Sequence, residues 1–160
     1  MVATRVLEAF RAKDGPRLAA LAHPGLGVRF SPYAYVDVAQ DRVLSRSALE
    51  SLWRDELTYT WGSFDGSGDP IQMTATQYVD RFVMVRDFSA DAMLSVDDHR
   101  VRGNTADNSA EAYPRGTIVE YYVEPADGQP DQDWAALRLV LERYEGDWKL
   151  VGVIHDEWTP

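Results

Sequence analysis

Residues 134–155 read WAALRLVLERYEGDWKLVGVIH, and this stretch decides the fold. Leucines occupy every second position from Leu137 to Leu141, which is the side-chain period of a β-strand. Residues 145–147 then combine Glu, Gly and Asp, a composition typical of a hairpin turn. Residues 148–155 read as the returning strand. The stretch therefore predicts two long antiparallel strands joined by a tight turn.

The rest of the chain supplies further strands and two opening helices. Residues 117–123 are rich in β-formers, and residues 28–37 read as an extended segment with which residues 42–44 could pair. Apolar residues at helical spacing predict an amphipathic helix over residues 2–13, and Asp14 is a plausible N-cap for a second one. We predict one α+β domain over residues 1–160. Its N-terminal helices pack on the concave face of a curved antiparallel sheet, built mainly from residues 117–123, 134–144 and 148–155.

Two aromatic-rich stretches are candidate walls of a site. Residues 59–71 read YTWGSFDGSGDPI and pass from a strand into a turn near Asp65, where glycines and short polar side chains accumulate. Residues 27–37 read GVRFSPYAYVD and have the same mixture of aromatic and charged side chains. We expect the two stretches to form opposite walls of one site.

Composition limits the classes of partner. The formal net charge is −10 and the isoelectric point is about 4.6, so nucleic-acid backbones and anionic membranes would be repelled. A neutral or cationic small ligand fits this field better. With no cysteine, the chain forms no disulfide and no cysteine-based zinc site. We expect a soluble monomer or homodimer that needs no cofactor.

The sequence leaves the cellular compartment open. No apolar run approaches the length of about 20 residues that a membrane span needs. The first residues read as a helix and not as a signal peptide. The protein is then either cytoplasmic or the product of a parent whose export signal has been removed.

A metal site is not predicted. The run from Asp65 to Asp69 alternates oxygen-bearing side chains with glycines, as hard cations prefer, but the calcium-loop pattern fails because Pro70 and Thr76 stand where Gly and Glu are required. Neither His23 nor His99 has other ligand types at metal-binding spacing. A tight turn held by its own side chains explains the run.

The order of elements resembles the cone-shaped nuclear-transport-factor-2-like fold. Residues 7–14 (LEAFRAKD) and 18–21 (LAAL) are similar to the opening of that superfamily, and residues 141–151 (LERYEGDWKLV) are similar to its last hairpin. The resemblance implies a curved sheet with helices over its concave side. The superfamily includes ketosteroid isomerase, scytalone dehydratase, polyketide cyclases and non-catalytic binders, so this fold implies no single activity.

A closer resemblance is to a group of uncharacterised bacterial domains, often exported. It is carried by residues 27–37, by YTWG and DGSG at residues 59–62 and 65–68, and by VIHDEW at residues 153–158. This resemblance is compatible with export of the parent protein and implies no particular reaction.

Three functions remain open. The first is a non-catalytic ligand-binding domain, with a cone mouth lined by aromatic and charged side chains. The second is an isomerase, dehydratase or cyclase that uses His155 or Asp65 as general base and a tyrosine hydroxyl to polarise a carbonyl. The third is an accessory interaction domain whose pocket is filled by its own side chains. The candidate binding residues are Arg29, Tyr33, Tyr35, Tyr59, Trp61, Asp65 and His155.

Some of these residues have structural interpretations as well. His155 could hydrogen-bond a neighbouring loop instead of acting as a base. Arg29 could clamp an anion, or it could pair with Asp37 or Asp65 inside the fold. Since an isolated buried charge is costly, we expect Arg29, Tyr33, Asp65 and His155 to converge in one cavity.

Overall fold

The helices are short and lie mostly ahead of the sheet. The computed structural model describes residues 1–98 and 100–160, so His99 falls outside the described residues. A 3-10 turn at Leu52–Arg54 and a π-helical turn at Val79–Val83 extend two of the helices. The helix bounds are α1 Val2–Arg11, α2 Gly15–Leu21, α3 Arg46–Glu50, α4 Ala75–Tyr78 and α5 Ser109–Ala112.

Two of three helix N-caps predicted from the sequence are present in the structure. The Asp14 carboxylate accepts a hydrogen bond from the Arg17 backbone N–H, as expected for an N-cap. Thr74 and Gln77 form the reciprocal capping box that their spacing predicts. The spacing of Ser47 and Glu50 predicts a further capping box, which is wrong: Ser45 caps α3 instead, because its hydroxyl accepts the Ala48 N–H.

The strands form one large sheet and one separate hairpin. Among the described residues, six strands pair in the order β2-β1-β8-β7-β6-β5, and β3 pairs only with β4. The sequence placed the three main strands to within two residues. The strand bounds are β1 Val28–Ser31, β2 Arg42–Leu44, β3 Thr58–Ser63, β4 Pro70–Thr74, β5 Met93–Val96, β6 Thr117–Val123, β7 Ala135–Tyr144 and β8 Asp147–Glu157.

The expected antiparallel sheet carries one parallel pair. β8 runs antiparallel to β7 but parallel to β1, with Phe30 opposite Val153. The fold class is nevertheless α+β as predicted, with helices preceding a mainly antiparallel sheet. The register of β7 and β8 shifts between Val140 and Leu141, which places both Val151 and Gly152 toward the outer face.

Both faces of the sheet are buried. On the concave face, α1 and the turn after α4 pack against β6, β7 and β8 in one apolar cluster that includes Phe10, Phe82 and Leu139. On the outer face, a smaller cluster contains Val36, Tyr113 and Ile154. Within the described residues, no helix is long and apolar enough to cross a membrane.

Candidate functional site

A cavity of about 250 Å³ lies where the two aromatic-rich stretches face each other, and we call it the mouth cavity. Gly62 stands where the backbone needs glycine, because its φ of +115° is one that other residues rarely adopt. Residues 32–37 form one wall and residues 62–65 the other. The lining residues are Pro32, Tyr33, Tyr35, Asp37, Gln40, Asp41, Gly62, Ser63, Asp65 and Thr105.

The two tyrosines that line this cavity differ in solvent exposure. Tyr33 is buried, with its ring 6.0 Å from the Phe82 ring centroid. Burial raises the pKa of the Tyr33 hydroxyl, and the Asp65 backbone N–H lowers it in part. Tyr33 therefore remains protonated at neutral pH and can donate a hydrogen bond. Tyr35 is exposed at the rim.

Asp65 is held at the cavity edge by hydroxyl groups. Its Oδ2 accepts hydrogen bonds from Thr105 Oγ1 at 3.0 Å and from Thr159 Oγ1 at 2.7 Å. One carboxylate oxygen thus joins three distant parts of the chain. Asp65 anchors the wall of the cavity.

Asp41 is a wall residue that the sequence analysis missed. Its side chain is 8% exposed, and its Oδ2 accepts hydrogen bonds from Ser31 Oγ at 2.5 Å and the Asp37 N–H at 2.9 Å. Burial raises its pKa to about 6, although these hydrogen bonds oppose the shift. Oδ1 accepts none from the described residues and lies on the Gly62 side, 3.7 Å from where a Cβ would stand. The signal in the sequence is a pair of aspartates four residues apart after the break at Pro32.

His155 lies behind the mouth cavity and does not line it. Its ring is buried against Phe82, and burial lowers its pKa, so the imidazole is neutral near pH 7. Nε2 is 3.4 Å from Glu157 Oε2 without forming a hydrogen bond. Burial would raise the pKa of Glu157, but the contacts with His155 and Arg81 lower it to about 2. Arg81 donates a hydrogen bond to Glu157 Oε1 at 2.7 Å.

Tyr59 and Trp61 belong to the packing of the fold. Trp61 is fully buried, stacks on Tyr78 with ring centroids 4.2 Å apart, and donates its Nε1–H to the Met73 carbonyl. The Tyr59 hydroxyl donates to Asp55 at 2.6 Å. Neither residue lines the mouth cavity.

Arg29 stands on the other face of the sheet. It alternates with the buried Val28 and Phe30, so its side chain leaves the concave core. The predicted convergence of four residues is therefore wrong. Tyr33 and Asp65 line the mouth cavity, whereas Arg29 and His155 do not. No pairing of Arg29 with Asp37 or Asp65 forms within the described part of the chain.

The described residues contain no group of three His, Cys, Asp or Glu side chains suited to a metal ion. His23 accepts hydrogen bonds at Nδ1 from the backbone N–H groups of Gly25 and Leu26, a turn-holding role. His99 lies outside the residues that the structure describes.

A larger cavity, of about 480 Å³, lies between α1 and the sheet, and we call it the helix cavity. The sequence analysis did not anticipate it, because its walls come from segments that carry no motif. Apolar surface exceeds polar surface in its lining. The lining residues are Thr4, Leu7, Glu8, Arg11, Met84, Phe88, Ser89, Ala92, Leu94 and Tyr121.

The helix cavity contains one buried polar group without a partner. Tyr121 is 5% exposed, and its hydroxyl makes no hydrogen bond with any described residue. Burial raises its pKa, while the Thr4 hydroxyl lowers it in part without reaching hydrogen-bond geometry. At the rim, Arg11 donates a hydrogen bond to Ser89 Oγ at 3.1 Å, and Glu8 pairs with Arg17 at 2.6 Å.

Solved structures with similar shapes include folds that the sequence resemblance named. A domain of unknown function with a cystatin-like fold, from Nostoc punctiforme, is 10% identical, with 99% of this chain and 74% of that one covered and a TM-score of 0.42. A designed nuclear-transport-factor-2-like protein is 13% identical over 95% and 90% of the two chains, with a TM-score of 0.41. Aln2 from a Streptomyces species is 15% identical over 98% and 85%, with a TM-score of 0.40.

A scan against protein-family models and a search of curated proteins give no match. With such low identities and TM-scores, the structural matches carry no conclusion about activity. Function has to be inferred from the cavities themselves.

Proposed function

We propose that this protein binds a small, neutral and largely apolar molecule in the helix cavity, without catalysing a reaction. The observation that carries this proposal is the Tyr121 hydroxyl, which is buried in the cavity wall without a hydrogen bond to any described residue. A buried donor left unpaired costs about 1–3 kcal/mol. A ligand that accepts a hydrogen bond at this point would recover part of that cost.

Size and charge support the same class of ligand. The volume of about 480 Å³ falls within the range of about 300–1,000 Å³ typical of small-molecule sites, whereas the mouth cavity is smaller. Glu8 at the rim already pairs with Arg17, so a cationic ligand would find no free carboxylate there, and the net charge of −10 disfavours anions. A neutral molecule with one acceptor facing Tyr121 fits best.

The test uses prodan, a neutral fluorescent naphthyl ketone, with naphthalene as a competitor that lacks the carbonyl. Tyr121→Phe should weaken prodan binding about three- to tenfold, as expected for one lost hydrogen bond, and leave naphthalene competition unchanged. Ala92→Trp should block the cavity from its rim and lower prodan affinity at least about tenfold. Ala126→Trp, on an exposed loop away from the cavity, is the matched control. Equal prodan affinity in Ala92→Trp and the wild type would remove the helix cavity from consideration.

Asp41 favours a second candidate, proton abstraction next to a carbonyl in the mouth cavity. A general base works best with a pKa near the working pH, and Asp41 has a pKa of about 6 with Oδ1 free of described partners. Tyr33, protonated and buried beside it in the lining, could polarise a carbonyl oxygen. Asp41 thereby takes the role that the sequence suggested for His155 or Asp65.

Deuterium exchange into a panel of small cyclic ketones tests this second candidate. Wild-type protein should speed exchange at the carbon next to the carbonyl, and Asp41→Asn should abolish the acceleration. Asp127→Asn, a change at an exposed loop carboxylate outside the mouth cavity, is the control. Exchange no faster than in buffer for every ketone would leave only the binding proposal.

A further inference from the structure

A third cavity, of about 200 Å³, lies on the outer face of the sheet and is separate from both cavities above. We call it the outer-face cavity. Its polar walls are Arg29, Tyr113 and Glu142, and Leu26, Val43 and Val151 supply apolar surface.

The strand register brings the arginine and the tyrosine together. Arg29 of β1 lies directly opposite Gly152 of β8. The Tyr113 ring covers Gly152, since a Cβ at that position would stand 2.5 Å from Tyr113 Oη. No other residue type would leave room for the phenol there. The hydroxyl and the guanidinium therefore occupy neighbouring positions on one face.

Both groups are donors without an acceptor. Tyr113 is 8% exposed, and neither its hydroxyl nor the buried Arg29 Nε makes a hydrogen bond within the described chain. No described carboxylate lies within salt-bridge distance of Arg29. Burial raises the pKa of Tyr113, the Arg29 charge lowers it in part, and Asp41 and Glu142 raise it further. Two unsatisfied buried donors side by side cost more than either alone.

We propose that the outer-face cavity binds a small monocarboxylate, with Arg29 as the counter-charge and the Tyr113 hydroxyl as a second donor. Guanidinium pairs well with the planar, singly charged carboxylate. Glu142 in the wall and the net charge of −10 disfavour dianions such as phosphate. Leu26, Val43 and Val151 suit a short apolar body. This site goes beyond the ligand proposed for the helix cavity and does not depend on it.

Amide NMR titration tests the proposal with three probes: benzoate, its neutral isostere benzamide, and inorganic phosphate. Benzoate should give saturable shifts at Gly152 and its neighbours, and benzamide and phosphate should not. Arg29→Gln should weaken benzoate binding at least about tenfold, because it removes the charge. Tyr113→Phe should weaken it about three- to tenfold. Arg143→Gln, an exposed arginine elsewhere in the fold, should leave the affinity unchanged.

The outcomes separate clearly. If Arg29→Gln fails to fold, Tyr113→Phe still decides, since it removes one oxygen only. Benzoate affinity equal in Tyr113→Phe and wild type, or phosphate binding more tightly than benzoate, would overturn the monocarboxylate assignment. Absence of saturable shifts with benzoate would mean that water satisfies the two donors, and would overturn it too. Prodan binding in Arg29→Gln should match the wild type, which keeps this test independent of the helix cavity.

Discussion

The two faces of the sheet are buried by different chemistry. On the concave face, Leu137 and Leu139 pack with aromatic rings and short helices. On the outer face, Arg138 lies between them in sequence and is 0% exposed. It donates to Glu120 at 2.8 Å and to Asp156 at 3.0 Å. One strand thus carries the main apolar core on one side and, on the other, a buried ion network beside a smaller apolar cluster. The apolar face stabilises the fold by burial, whereas the ionic face adds directional contacts that desolvation makes costly to break.

Removal of the central arginine should have the largest effect. Arg138→Ala leaves Glu120 and Asp156 buried without their partner, which should cost about 3–5 kcal/mol in the free energy of unfolding. Arg143→Ala, an exposed position on the same strand, should cost less than about 1 kcal/mol. Chemical denaturation of both variants measures the difference. Similar small losses in the two variants would show that the network contributes nothing specific.

The ionic face should also make stability depend on pH. Burial raises the pKa of Asp156 from 3.8 to about 7, with Asp107 and Glu120 adding to the shift and Arg138 opposing it. Because the folded state binds this proton more tightly, its contribution is complete below pH 4 and is lost as pH rises through 7. The size is on the order of 4 kcal/mol.

Asp156→Asn should lack the fall in the free energy of unfolding that Asp156 causes between pH 4 and 7 in the wild type. Asp41, with a pKa raised to about 6, contributes in the same direction, whereas buried His155, with a lowered pKa, contributes in the opposite one. Comparison of variant and wild type at each pH cancels both. Asp147→Asn, exposed in the hairpin, serves as the control. Denaturation at pH 4, 5.5 and 7 measures the free energy of unfolding of both proteins. A difference between Asp156→Asn and wild type that is the same at all three pH values would contradict the assignment.

One unpaired hydroxyl on each face allows a matched comparison. Tyr121→Phe on the concave face and Tyr113→Phe on the outer face each remove a buried hydroxyl that lacks a described partner. Each change should raise the free energy of unfolding by about 0.5–1 kcal/mol without ligand. Thermal melts of the free protein measure it. A loss of stability would mean that ordered water satisfies the hydroxyl.

The smallest effect expected is the coupling between Arg29 and Asp65. These residues line different cavities, so Arg29→Ala and Asp65→Asn should be additive to within about 0.5 kcal/mol. A double-mutant cycle by thermal melts gives the coupling energy. Coupling above about 1 kcal/mol would restore the single convergent site that the sequence suggested.

Local patterns were enough to predict the three main strands, the first two helices and one of the two sheet faces. Leucines at every second position identified β7 and its apolar side. The same alternation is typical of a strand with a solvated second side, so the full burial of Arg138 was not predictable. Its cover comes from distant residues such as Asp107, in a segment without periodicity. The parallel pairing of β1 with β8 is equally non-local.

The position of the mouth cavity was predictable from the sequence, but its lining residues were predictable only in part. Both aromatic-rich stretches line the mouth cavity, and the turn residue Asp65 lies at its edge. Trp61, expected there, is core because Tyr78 stacks on it. Asp41 was missed because a buried carboxylate and an exposed loop aspartate look the same in sequence. The helix cavity was missed because vacant volume between α1 and the sheet leaves no residue pattern.

The position of β8 has a consequence for the order of assembly during folding. β8 lies between β1 and β7, so within the described residues β1 and β2 join the sheet through a strand that comes much later in the chain. The end of α2 makes the same connection, because the His23 N–H donates to the Leu150 carbonyl at 2.9 Å. During synthesis on the ribosome, the edge of β1 that pairs with β8 therefore stays unpaired until most of the chain has been made. Such non-local pairing slows folding, so the waiting segment is where a chaperone would most effectively prevent aggregation.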